Sequence, residues 1–279
     1  MKEKTVLVTG ANSGVGKATA LALARMGAHV VMLCKNKERG EAAQKEIISD
    51  SGSSNVDLMI CDLSEMDSEH AFVNDFLLRY NRLNVLVNNA GGYFDRRIAT
   101  ADGYEYTFAA NHLGHFLLTN RLLDLIKHSV PARIINVSSN AHQTGHIRFD
   151  DLMAEKRYMG WRAYSQVKLA NILFTYELDR RLTGTGVTAN AVHPGFVNTN
   201  FANNTYPFIR PLVRLAQCFA RSPEKGAETS IYLASSHEVE GISGKYFFDK
   251  KERRSNRESY DEGVAKRLWD ISEDLVNTL

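Results

Sequence analysis

Tyr164 and Lys168 stand four residues apart in Tyr164-Ser165-Gln166-Val167-Lys168, a spacing that puts both on one face of a helix, one turn apart. A phenol with a pKa near ~10 is a poor acid or base at neutral pH, and a neighbouring ammonium pulls that value down. The pair is therefore a candidate proton donor and acceptor. Taken alone, a Tyr and a Lys at this spacing form a common helix-surface pair. The rest of the chain decides between the two readings.

A second group is glycine-rich. Thr9-Gly10-Ala11-Asn12-Ser13-Gly14-Val15-Gly16 lies between the β-branched run Thr5–Thr9 and the Ala- and Leu-rich stretch from Lys17 to Met26. In a strand-turn-helix context, Gly10 permits the tight turn, Gly14 lets backbone approach a pyrophosphate, and Gly16 lets helix and strand pack closely. Asn12, Ser13 and Val15 complete the loop, and the helix N-terminus offers free N–H groups to a phosphate. In an NAD site an acid about 20 residues further on holds the ribose 2′-hydroxyl. Here Cys34-Lys35-Asn36 occupies that region, so a cation suited to a 2′-phosphate replaces the acid. The expected cofactor is NADP(H).

The elements that must position these groups alternate along the chain. Apolar runs at Thr5–Thr9, His29–Cys34, Val56–Ile60, Val85–Asn88, Arg133–Val137, Thr188–His193 and Lys245–Phe248 read as strands. Helical spacing covers Lys37–Ser51, Ser68–Tyr80, Tyr104–Lys127, Ala163–Leu182 and Pro223–Ser235. Continuous apolar strands separated by helices are what a parallel sheet covered on both faces requires. The expected fold is α/β, a single domain over residues 1–279 built on a doubly wound, Rossmann-type parallel sheet. Residues 141–161 and 200–221 break the alternation after strands and read as substrate loops, the second rich in apolar residues. The basic cluster from Lys250 to Arg257 reads as a solvated loop.

Laid in chain order, Thr9–Gly16, Asn88-Asn89-Ala90-Gly91, Asn111, Ser138-Ser139, Tyr164-x-x-x-Lys168 and Pro194-Gly195 follow one another at successive strand ends and helices. This arrangement resembles the short-chain dehydrogenase/reductase superfamily over essentially the whole chain. The resemblance implies a catalytic tetrad of Asn111, Ser139, Tyr164 and Lys168. Ser139 would bind the substrate oxygen, Tyr164 would transfer the proton, Lys168 would hold the nicotinamide ribose and favour tyrosinate, and Asn111 would position a water. It further implies that Asn89, Ala90 and Gly91 pack against the adenosine ribose and that Asp62 and Leu63 lie at the adenine. Pro194, Gly195, Val197 and Thr199 would cover the nicotinamide. Ser138-Ser139-Asn140-Ala141-His142, Ser165–Phe174, Gly186-Val187-Thr188 and Val192-His193-Pro194-Gly195 are most similar to retinol dehydrogenase-like members, including the WW-domain oxidoreductase group. The step of 25 positions from Ser139 to Tyr164 is similar to that branch as well. Family members often share a helix bundle across a dimer, which makes Tyr104–Lys127 and Ala163–Leu182 the expected surface of a homodimer.

Composition removes other classes. Lys plus Arg total 34 against 32 Asp plus Glu, a net +2, which is too small for a whole-surface field toward nucleic acid. The three cysteines are scattered and form no C-x-x-C, so a disulfide framework is not indicated, and His112, His115, His142, His146 and His193 lack zinc-site spacing. No metal is expected. Four residues precede the first apolar run, and no stretch reaches the roughly 18 apolar residues of a membrane span, which makes a cytoplasmic location the expectation. The expected function is an NADP(H)-dependent oxidoreductase acting on a small hydrophobic alcohol, aldehyde or ketone, retinoid-like or another lipid carbonyl. An NADP-binding regulatory or scaffold protein without turnover is the alternative. A sugar-nucleotide epimerase fits less well, because its glycine spacing usually differs.

Overall fold

The computed structural model describes residues 1–197 and 220–277. Cys218, Thr199 and nearly all of the apolar stretch 200–221 lie outside the described residues. Strands β1 (Thr5–Thr9), β2 (His29–Cys34), β3 (Val56–Ile60), β4 (Val85–Asn88), β5 (Ala132–Val137), β6 (Val187–His193), β7 (Lys245–Phe248) and β8 (Lys251–Glu252) form one sheet in the order β3-β2-β1-β4-β5-β6-β7-β8. Every pairing is parallel except β7 with β8. Consecutive strands run outward from β1 on one side and from β4 on the other. The crevice between those two halves opens at the carboxyl ends of the strands, where an open α/β sheet takes its ligands.

Strand side chains alternate between two cores. Leu7 of β1 joins one with Leu86 and Ile134, and Val6 and Val8 join the other with Val85, Val87 and Ile135. Helices α1 (Gly14–Arg25), α2 (Lys37–Ser51) and α7 (Pro223–Ser235) cover the second core. Helices α3 (Met66–Arg79), α5 (Gly114–Lys127), α6 (Gly160–Arg181) and α8 (Glu262–Asn277) cover the first. The doubly wound sheet expected from the apolar runs is what forms.

Three elements depart from expectation. The stretch Tyr104–Lys127 is not one helix: a short helix α4 (Tyr106–Phe108) passes through a π-helical turn, Ala109–Leu113, before α5 begins. Such a turn inserts one residue into the ladder and re-aims the side chains inside it, here Asn111. Within Lys250–Arg257, Lys251 and Glu252 pair antiparallel with Phe248 and Phe247 rather than forming only a solvated loop. At the C-terminus α8 lies across α5 and α6. Its Trp269 packs on Phe116 at 4.8 Å and on Phe174 at 5.7 Å, with the Arg181 guanidinium 4.1 Å above the indole. A bundle shared between two copies through that face of α5 and α6 would first have to displace α8.

Candidate active site

Gly10 and Gly14 adopt φ values of +65° and +56°, which bend the chain out of β1 and into α1. Gly16 has no room for a side chain: a Cβ there would run into the Gly10 carbonyl oxygen and Asn89 Nδ2. Asn89 itself belongs to the turn, since its Nδ2 donates to the Thr9 carbonyl at 2.8 Å. The N–H groups of Asn89 and Ala90 both donate to Thr9 Oγ1 at 2.8 Å. Both residues, expected at the adenosine ribose, thus tie the end of β4 to the glycine loop. The backbone N–H groups of Ala11 and Asn12 face Cys34 Sγ. Ser13 caps α1 without a side-chain hydrogen bond to it, and the first turn of α1 carries no acidic residue. A bare helix N-terminus with no internal anion fits the pyrophosphate of a dinucleotide.

At the end of β2, Lys35 pairs with Asp62 and donates to Tyr106 Oη at 3.1 Å. Burial pulls the Lys35 ammonium down, but its bonds to Asp62 and Tyr106 outweigh that and raise it overall. Asp62 is correspondingly held low by Lys35 and Ser64 against the opposing effect of burial. The sequence placed these two residues at separate parts of a cofactor, whereas the structure joins them because β2 and β3 are neighbours. Leu63 is packed into the core, where a Cβ on Gly114 would strike its backbone oxygen.

The catalytic candidates converge at the ends of β4 and β5. Ser138 is structural, donating its hydroxyl to the Lys168 carbonyl at 2.6 Å. Ser139 begins the 3₁₀ turn Asn140–Thr144, accepts from Ala141 N at 3.3 Å and hydrogen-bonds the Tyr164 phenol. Lys168, only 4% exposed, reaches 5.5 Å from the Tyr164 ring centroid and donates to the Val137 carbonyl at 3.3 Å. Asn111 is fully buried, donates Nδ2 to Thr107 O at 2.8 Å and Gly92 O at 3.1 Å, and accepts from Gly92 N at 3.1 Å. A Cβ on Gly91 would meet Asn111 Oδ1 and stand 3.4 Å from Lys168 Nζ, so these three residues share one pocket wall. All four tetrad candidates are therefore adjacent.

The shifts at this pair run in the direction that burial sets. Burial pushes the Tyr164 phenol up to about 12, and the Ser139 hydrogen bond opposes this only in part. The same burial brings Lys168 down to about 8. An ammonium beside the ring and engaged with a backbone carbonyl does not offset the loss of water around the phenol. The Tyr164 phenol is thus protonated at neutral pH.

Two further groups escaped the sequence reading. His115, set aside as a structural histidine, connects the two halves of the site, with Nε2 3.0 Å from Thr9 Oγ1 and Nδ1 3.2 Å from the Asn111 carbonyl. Burial, helped by Lys168, depresses it to about 3, so the ring is neutral. Its position four residues after Asn111 was the available signal. Tyr93 contacts Tyr164 edge-on at 5.8 Å, and the half-exposed Trp161 ring lies 6.4 Å from it. These two rings give the surroundings of the phenol an aromatic, apolar character.

After β6, Pro194 leads into Gly195, whose φ of +88° sets its backbone against the Arg221 side chain. Val197 packs with Val15 and Ala227, which brings the segment after β6 onto the start of α1. Among the described residues no cluster of His, Cys, Asp or Glu is arranged to hold a metal ion, and no helix is long and apolar enough to cross a membrane.

The short chain dehydrogenase family model matches residues 4–209. The chain is also 47% identical to retinol dehydrogenase 14 of Homo sapiens over 295 residues, covering 100% of this chain and 88% of that protein. The chain belongs to the short-chain dehydrogenase family. The dehydrogenase is an oxidoreductase of the class acting on CH–OH donors. It is 46% identical to retinol dehydrogenase 12 of Mus musculus, with 98% of this chain and 86% of that one aligned. An uncharacterized protein from Mycobacterium paratuberculosis superposes with a TM-score of 0.80 at 36% identity, over 99% of the dehydrogenase and 94% of that structure. A short chain dehydrogenase from Escherichia coli CFT073 complexed with NADPH superposes at 0.68 with 21% identity, over 88% and 96% of the two chains, and shares the fold.

Proposed function

We propose that the dehydrogenase transfers a hydride between NADP(H) and a hydrophobic alcohol, aldehyde or ketone, with Tyr164 as the proton-transfer group. The observation that carries this reading is the Ser139–Tyr164 hydrogen bond beside Lys168, flanked by Tyr93 and Trp161. Ser139 and Tyr164 together orient a carbonyl oxygen, and the protonated phenol then gives its proton to that oxygen. Lys168, while charged, stabilises the phenolate left behind. Asn111, fixed by Gly92 and Thr107, holds the π-helical turn against Lys168 and is the residue to position a water there. NADPH, when bound, supplies the hydride.

The glycine loop would take the pyrophosphate, and Lys35 would take the 2′-phosphate by exchanging the Asp62 carboxylate for it. The apolar flank around Tyr164 supports a hydrophobic substrate, as do relatives named for retinol. The loop 141–161, which carries Met159 and Trp161, is the described segment to enclose it. The reading is tested by following NADPH and NADH oxidation across retinaldehyde, long-chain aldehydes and ketosteroids. Turnover of at least one of these with preference for NADPH supports it. Tight NADPH binding with no consumption on any of them favours a regulatory cofactor-binding protein instead.

A further inference from the structure

The peptide unit joining Ser139 to Asn140 is gripped at both ends by imidazoles from different parts of the fold. Its carbonyl, that of Ser139, accepts from His142 Nδ1 at 2.6 Å and from the His142 backbone N–H at 3.0 Å. Its N–H, that of Asn140, donates to His193 Nδ1 at 3.2 Å. His142 follows β5 and His193 ends β6, so neighbouring strands deliver the two rings to one peptide.

Each ring is itself held by β7. Tyr246 meets His142 edge-on at 4.8 Å, and Phe248 stacks on His193 at 5.0 Å, with the Arg221 guanidinium 4.9 Å from the Phe248 ring on its way to Asp249. The turn is tied down again by Asn256, whose Nδ2 reaches the carbonyls of His142, Gln143 and Gly145 at 3.1–3.2 Å.

The chemistry demanded of the two rings is opposite. A carbonyl only accepts, so His142 must carry its proton on Nδ1; its Nε2 is buried and makes no hydrogen bond. A backbone N–H only donates, so His193 Nδ1 must be bare and Nε2 must carry the proton. His193 therefore has to be neutral, and a second proton on His142 would leave a buried Nε2–H without an acceptor. Burial brings His142 down, and burial together with His142 and Arg221 brings His193 down to about 4 against the opposing pull of Asp249.

We propose that His142 and His193 are positioning residues that fix the Ser139–Asn140 peptide in opposite tautomers and so set the Ser139 hydroxyl against the Tyr164 phenol. The inference rests on Ser139 being the substrate-orienting hydroxyl. A one-ångström displacement of such a group is enough to cost on the order of a hundredfold in rate.

The first test needs no substrate. Long-range ¹H–¹⁵N spectra of the full chain at neutral pH, assigned with His142→Asn and His193→Asn, should show His142 protonated on Nδ1 and His193 on Nε2. Any other tautomer at either residue overturns the clamp. The second uses NADPH with retinaldehyde, nonanal or whichever panel aldehyde turns over. His142→Phe and His193→Phe should each lower kcat on the order of ten- to a hundredfold, with KM for NADPH unchanged. The Asn variants, which can place a donor or an acceptor where Nδ1 stood, should recover most of the rate. In a Ser139→Ala background the Phe substitutions should cost nothing more. Phe variants as fast as the parent, or a further loss in that background, overturn the proposal. A Ser139→Ala enzyme as fast as the parent overturns the role of Ser139 itself, and the tautomers distinguish that result from a failed clamp.

Discussion

The Lys168 ammonium lies 5.5 Å from the Tyr164 ring centroid and spends a hydrogen bond on the Val137 carbonyl. The phenol meanwhile takes its hydrogen bond from the Ser139 side. Burial therefore controls both proton affinities, raising the phenol and lowering the ammonium.

That relationship sets a pH dependence. Lys168 keeps its charge below about 8 and loses it as pH rises through that value, while Tyr164 stays protonated to about 12. The rate of NADPH-driven reduction should be level near neutrality and fall above about 8, because the cation that stabilises the departing phenolate is lost. The folded-state value of Lys168 also lies below its ordinary 10.5. The folded chain binds fewer protons than the unfolded chain between about 8 and 10.5, so this residue's contribution to stability increases as pH rises across that window. A pH–rate profile and urea titrations of the parent and Lys168→Met check both. A profile that keeps its alkaline fall in Lys168→Met would assign the fall to another group.

Gly16→Ala tests the close approach of α1 to the glycine loop. The added Cβ meets the Gly10 carbonyl and Asn89 Nδ2, neither of which moves without disturbing the turn. Overpacking of this kind costs about 1–3 kcal/mol, and NADPH affinity should fall at least about tenfold with it. Urea unfolding and quenching of tryptophan fluorescence by NADPH report the two effects.

Lys35 and Asp62 make a discriminating pair. Lys35→Ala should weaken NADPH roughly tenfold by removing a charge-assisted contact while leaving NADH within about twofold. Asp62→Asn frees Lys35 from its carboxylate and should tighten NADPH. Equal losses for NADPH and NADH in Lys35→Ala would remove Lys35 from the 2′-phosphate site.

Much of the sheet was legible because parallel strands covered on both faces are continuous apolar runs. Val85-Leu86-Val87 and Lys245–Phe248 fall where the sequence placed them. The π-helical turn at Asn111 was not, since a one-residue insertion leaves the apolar spacing of Tyr104–Lys127 nearly intact and depends on Gly92, distant in sequence. Helix α8 was overlooked because its charged residues mask Leu268, Trp269 and Val276, whose role appears only once Phe116 and Phe174 are beneath them. The identities of the tetrad candidates could be read from motif order. Their proton affinities could not, because burial is a property of the assembled fold. Lys35 and Asp62 likewise became partners only when β2 paired with β3.

Tyr164→Phe bears most directly on the chemistry, since it removes one oxygen while leaving the ring against Tyr93 and Trp161. Single-turnover oxidation of bound NADPH by an active aldehyde should slow by roughly a thousandfold, with the dissociation constant for NADPH unchanged. A Tyr164→Phe enzyme that oxidises NADPH as fast as the parent would contradict the assignment of the phenol as the proton donor.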